Sequence, residues 1–87
     1  MSRDKDTSRT VAGANLKAVG RRLRELRGFD TTQEEFANQL GISQSQLSKY
    51  ERGVAAPPAD VLLRVKQKLR VSIDWLLSGN DREDNSR

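Results

Sequence analysis

QEEFANQLGISQSQLSKYERG, residues 33–53, decides the fold. Phe36, Ala37 and Leu40 fall on one face at helical spacing. Thr32 and Glu35 fit a capping box, in which hydroxyl and carboxylate satisfy each other's orphan backbone amides. Gly41 ends this helix, since it takes a positive φ at little cost. Ile42 plugs the space behind the turn, and Ser43 caps the next helix. That helix runs from Gln44 to about Glu51, with Leu47 and Tyr50 or Glu51 inward, and Gly53 stops it. Ala37 is small where the two helices must approach closely. Two short helices joined by a tight glycine turn form a helix-turn-helix unit.

Working outward, Leu16, Val19, Leu23 and Leu26 form a one-sided stripe, so a first helix runs from about Asn15 to Arg27. Asn15 is its N-cap and Gly28 its stop, and Arg21, Arg22 and Arg24 lie off the stripe. On the other side, Val54 to Ala56 form a loop and Pro57-Pro58 opens a fourth helix. Leu62, Leu63, Val65 and Leu69 are expected on its apolar face. A fifth short helix, Ser72 to Leu77, ends at Gly79 and carries Trp75, Leu76 and Leu77. Trp75 has two readings: part of the core, or part of an apolar surface for a second subunit. The expectation is an all-α, compact five-helix domain over residues 15–79. Residues 1–14 read as a flexible polar arm and 80–87 as a polar tail.

Composition narrows the chemistry. The 87 residues suggest one domain with a modest core. Cysteine and histidine are absent, which removes disulfides, thiolate metal sites, the commonest general base and the commonest metal ligand. No metal site and no cofactor is implied. Ser43, Ser45 and Ser48 have no base to activate them, and no glycine loop cradles phosphate, so the chain does not read as an enzyme. No apolar run approaches the roughly 20 residues that cross a bilayer. Met1 to Thr10 lacks the apolar stretch of a signal peptide, so a cytoplasmic home is expected, with no membrane partner.

Charge points to a partner. From Lys17 to Arg70 there are eleven basic and six acidic residues, whereas Asp74 to Arg87 has two basic and four acidic. A basic middle favours a polyanion. The outward face of the third helix holds Gln44, Ser45, Gln46, Ser48 and Lys49, with no acidic member. Glutamine can bond an adenine edge in two places, serine suits several groups, and lysine suits guanine. Gln33 and Ser43 sit at helix N-termini, where free amides and the helix dipole favour phosphate. Double-stranded DNA is the expected partner, and no small-molecule ligand is expected.

The segment from Val19 to Gly79 resembles the Cro and phage-repressor class of helix-turn-helix domains, also called the xenobiotic-response-element type. The shared motifs are Gln33-x-x-x-Ala37 with Gly41-Ile42-Ser43, then Tyr50-Glu51-Arg52-Gly53, Pro57, and Val71-Ser72-Ile73-Asp74-Trp75-Leu76-Leu77. The resemblance implies a lambda-repressor-like fold that binds a pseudo-palindromic operator as a homodimer, at least on DNA. By position it implies base reading by Gln44, Ser45 and Lys49. It implies phosphate or backbone contacts from Gln33, Ser43, Ser48 and Arg52, with Gln33 braced against Gln44. Arg27 and Glu51 match a structural ion pair, and Ala37, Gly41, Ile42, Leu47 and Trp75 match structural positions. The region from Pro57 to Trp75 matches the family's dimer contact.

Some positions depart from the family. The loop before Gln33 is one residue shorter than usual. Lys66 stands where the family has alanine and Arg70 where it has glycine. Val54-Ala55-Ala56 lacks basic residues, which shifts the expected phosphate contact toward Arg22, Arg24 and the arm. The function expected is a DNA-binding transcriptional regulator that represses by occlusion. The alternative is a protein-interaction module of the same fold, such as an antitoxin or adaptor.

Overall fold

A computed structural model describes residues 15–79. The arm over 1–14 and the tail over 80–87 lie outside the described residues. Five helices follow in order: α1 Leu16–Arg27, α2 Gln33–Leu40, α3 Gln44–Arg52, α4 Ala59–Leu69 and α5 Ile73–Ser78. The expected all-α five-helix architecture is therefore present. No helix among the described residues is long and apolar enough to cross a membrane.

The local signals act as expected. Asn15 Oδ1 accepts from the Ala18 amide and starts α1. The Thr32–Glu35 capping box forms in full, with bonds of 3.0 and 3.1 Å. Gly41 is left-handed, with φ 71° and ψ 30°. Its amide bonds to Asn38 O, and the Ile42 amide bonds to Ala37 O at 3.0 Å. These paired bonds satisfy the last carbonyls of α2 and turn the chain sharply into α3. Arg64 adds a bond to the Leu40 carbonyl at 2.9 Å, so α4 also closes the end of α2.

The core joins all five helices. Val19, Leu23, Phe36, Leu40, Leu47, Val65 and Leu76 are fully buried, as is Pro57. Trp75 is 9% exposed and belongs to this core, which favours its structural reading. On α4 the buried residues are Val61, Leu62 and Val65, with Leu69 half-buried. Leu63, expected on that face, is 47% exposed. The periodicity explains the correction: the buried set follows steps of one, three and four, and Leu63 lies about 100° off the Leu62 direction.

Gly20, which no local sequence signal marks, fixes the packing of α1 on α3. A Cβ at Gly20 would lie 2.2 Å from the Glu51 carbonyl oxygen and 2.7 Å from that of Tyr50. Only a residue without a side chain allows this approach. Arg22, expected toward phosphate, is half-buried and donates to the Leu76 carbonyl at 3.0 Å, closing α5. Arg70 caps α4 with φ 60°, the sole non-glycine residue of positive φ among the described residues.

Gly20→Ala should destabilise the fold by about 1–3 kcal/mol through overpacking, despite alanine's better helix propensity. Arg70→Gly should stabilise it by roughly 0.5–1 kcal/mol, because the left-handed strain is relieved. Urea unfolding midpoints check both, and a stable Gly20→Ala variant would contradict the close approach.

Candidate nucleic-acid interface

The face of α3 divides by helical geometry. Leu47, Tyr50 and Glu51 point inward and are buried. Gln44, Ser45, Lys49 and Arg52 are exposed, and Ser48 is half-buried. The outward positions follow one another at steps of one and three residues, so they form one continuous strip.

The buried member Glu51 organises the strip. Its side chain has no exposed surface. Arg27 grips the carboxylate with two bonds of 2.9 Å, Nε to Oε2 and Nη2 to Oε1. Arg24 Nε lies 3.9 Å from Oε1. Bidentate pairing is the strong form of this contact, and it offsets the cost of burying a charge. The Glu51 hydrogen bond pushes the Arg27 guanidinium further up from its already high range. Desolvation opposes that shift, and the Glu51 charge adds to it. Arg27 also donates to the Thr31 carbonyl at 3.1 Å. The short α1–α2 loop is thus tied down by the same side chain that neutralises Glu51.

From Glu51 a polar chain leads outward. Gln33 Nε2 donates to Glu51 Oε1 at 3.0 Å. Gln44 Nε2 in turn donates to Gln33 Oε1 at 3.2 Å. The first residues of α2 and α3 are therefore bonded to each other, and that link is anchored in the interior.

The other candidate residues are placed by local bonds. Ser43 Oγ accepts from the Gln46 amide at 3.1 Å, and Gln46 Oε1 accepts from the Ser43 amide at 3.0 Å. Gln46 is thus the second half of a capping box. Gln46 is exposed as expected, and its capping use follows the Ser-x-x-Gln signature, which is legible in the sequence. Arg52 Nε donates to Ser48 Oγ at 3.2 Å, so these two side chains sit together one turn apart. Lys17, Arg21, Arg24, Arg52 and Val54, with Glu51 as the acidic member, line one shallow depression where α1 crosses the end of α3. Lys17 and Arg21 join the site only through this crossing of helices. Their off-stripe position on α1 was the available signal.

The strip offers hydrogen-bond donors and acceptors beside concentrated positive charge. The sequence pattern of the helix-turn-helix family matches residues 21–76. The chain belongs to the Cro and phage-repressor class of helix-turn-helix proteins. It is 39% identical over 67 residues to the transcriptional regulator ImmR of Bacillus subtilis, a match covering 74% of this chain and 51% of ImmR. It is 31% identical over 61 residues to the CTXphi transcriptional repressor RstR of Vibrio cholerae, covering 70% of this chain and 54% of RstR. The match thus spans about half of each relative. Among solved structures, it superimposes with a TM-score of 0.65 on the P22 c2 repressor in complex with a synthetic operator. Sequence identity there is 30%, over 71% of this chain and 96% of that one.

Arg27→Ala would leave the Glu51 carboxylate buried with its main partner gone. The expected loss is about 3–5 kcal/mol, close to the whole stability of a domain this small. Thermal unfolding followed by circular dichroism checks it; a loss below about 1 kcal/mol would show that Glu51 is not the anchor described.

Proposed function

We propose that the chain is a sequence-specific DNA-binding transcriptional regulator, a repressor that acts as a dimer with α3 in the major groove of a pseudo-palindromic operator. The observation that carries this reading is the strip of Gln44, Ser45, Ser48, Lys49 and Arg52. It is polar or basic throughout, and it sits on a short helix behind a tight turn. Ordinary solvated faces mix acidic and basic side chains. This one has only groups that match base edges and phosphates.

Gln44, Ser45 and Lys49 are the base-reading residues. Gln44 and Ser45 lie at the leading end of the helix, and Lys49 follows Ser45 one turn on. Gln33, Ser43, Ser48 and Arg52 hold the DNA backbone. Ser43 caps α3, and the free amides behind it form an N-terminal anion site. The cations at the α1–α3 crossing add sequence-independent affinity. The partner is double-stranded DNA, and the setting is the cytoplasm. Leu63, exposed on α4, supports a subunit contact in the region from Pro57 to Trp75.

Selection of bound duplexes from a random pool, at near-physiological salt, tests this. Two half-sites about 34–36 Å apart are expected. Gln44→Ala should cost about 1–3 kcal/mol at one base position and relax its preference. Arg52→Ala should weaken all sequences alike and lower the salt dependence. If no sequence is enriched, the protein-interaction module takes the lead.

A further inference from the structure

We propose that the acidic run of Asp81, Glu83 and Asp84 seats in an arginine-lined groove along α1 and competes there with the DNA backbone for Arg21 and Arg24. The competition rests on the reading that the chain binds DNA; the seating itself does not. The groove has a volume of about 780 Å³ and is lined from Ala18 to Phe29. Its cations are Arg21, Arg22, Arg24 and Arg27, against Glu25 as the acidic member.

Two of these cations are committed and two are open to a partner. Arg27 is held by Glu51, and Arg22 Nη1 donates to the Leu76 carbonyl at 3.0 Å. Arg24 comes no nearer than 3.9 Å to Glu51 Oε1, and its side chain is 60% exposed. Arg21 is exposed and has no ion-pair or hydrogen-bond partner among the described residues. Grouped guanidinium groups repel one another, so an exposed set of them favours an anion. Arg21 and Arg24 also line the depression at the α1–α3 crossing. One pair of side chains therefore faces both the groove and the surface assigned to DNA.

The segment that follows α5 supplies the anion. A Cβ at Gly79 would lie 2.9 Å from Arg22 Nη2, so residue 80 leaves the fold at the wall of the groove itself. Asp81, Glu83 and Asp84 come next, with Arg82 among them, which gives four residues a net charge of −2. From Arg22 to Gly28 the helix rises only about 9 Å. Residues 80–84 reach about 16 Å when extended. In an extended run Asp81 and Glu83 fall on the same side, about 6–7 Å apart. Side chains three apart on a helix, as Arg21 and Arg24 are, lie about 5–6 Å apart. Two carboxylates can therefore meet two guanidinium groups. Exposed pairs of this kind are individually weak, but attachment to the fold keeps the segment at a roughly millimolar local concentration. The phosphates of a duplex carry denser charge and displace it. The segment thus acts as a tethered stand-in for phosphate, which lowers sequence-independent binding and leaves α3 uncovered.

The test uses the full chain with Ser86→Cys, which introduces the only thiol and carries a nitroxide. Paramagnetic broadening of the Arg24 and Gly28 amides is compared with that in the same labelled chain bearing Asp81→Asn, Glu83→Gln and Asp84→Asn. A segment that only hangs from Gly79 broadens these amides equally in both. Seating makes the broadening at least about twofold stronger in the chain that keeps its acids, and about 0.5 M salt removes the difference. Equal broadening in the two chains at low salt overturns the proposal. Adding a random-sequence duplex to saturation should bring both chains to the same broadening. A difference that survives saturation overturns the competition. A chain that binds no duplex overturns the DNA-reading function and the competition with it, whereas the seating stands or falls on the first comparison.

Discussion

A carboxylate without exposed side-chain surface sits where three parts of this fold meet. Glu51 comes from the end of α3, Arg27 from the end of α1, and Gln33 from the start of α2. Burying such a charge costs several kcal/mol unless its oxygens are fully engaged. Here the guanidinium fork and one amide engage them. The arrangement holds only if α1, α2 and α3 keep one relative placement, so the charge acts as a registration pin for the whole unit. The apolar core supplies the driving force for collapse. Hydrophobic burial is non-directional, however, and by itself would tolerate small slips between helices.

The helix crossing that makes this pin possible depends on a missing side chain. Gly20 brings the backbone of α1 against the Tyr50 and Glu51 carbonyls. Glycine inside a helix costs roughly 1 kcal/mol relative to alanine. The close approach it permits seats Arg27 beside the carboxylate and leaves Lys17, Arg21 and Arg24 grouped with Arg52. Stability and electrostatics are thus set by the same contact. The side of α3 turned inward holds the anchor, and the side turned outward holds the groups that a polyanion would meet.

Much of the fold was legible because its determinants are local. Capping boxes, glycine stops and apolar spacing act within a few residues, and the helix boundaries follow them closely. Leu63 shows where this fails. In a helix rich in aliphatic residues, several faces look plausible, and only packing against the other helices selects Val61, Leu62 and Val65. Gln46 shows a local determinant, since the Ser43 cap and its partner lie three residues apart. Arg22 shows a global one. Its partner, the Leu76 carbonyl, lies 54 residues away, and no sequence periodicity announces that contact.

The candidate site divides the same way. Residue type and position after the turn marked Gln44, Ser45, Lys49, Gln33, Ser43, Ser48 and Arg52, because exposure on a short capped helix is a short-range property. The resemblance also brought together Arg27 with Glu51 and Gln33 with Gln44. The sequence by itself determined the five helices, their ends, the tight turn and the chemistry of the strip. The tertiary structure decided which atoms of those side chains are already committed. It placed Gln33 between a buried carboxylate and Gln44, turned Arg22 to the end of α5, and used Gly20 to set the α1–α3 distance. The physical reason is range. Dihedral preferences and capping act between neighbours in the chain, whereas charge burial and backbone approach act between neighbours in space, and these exist only once the chain has closed on itself.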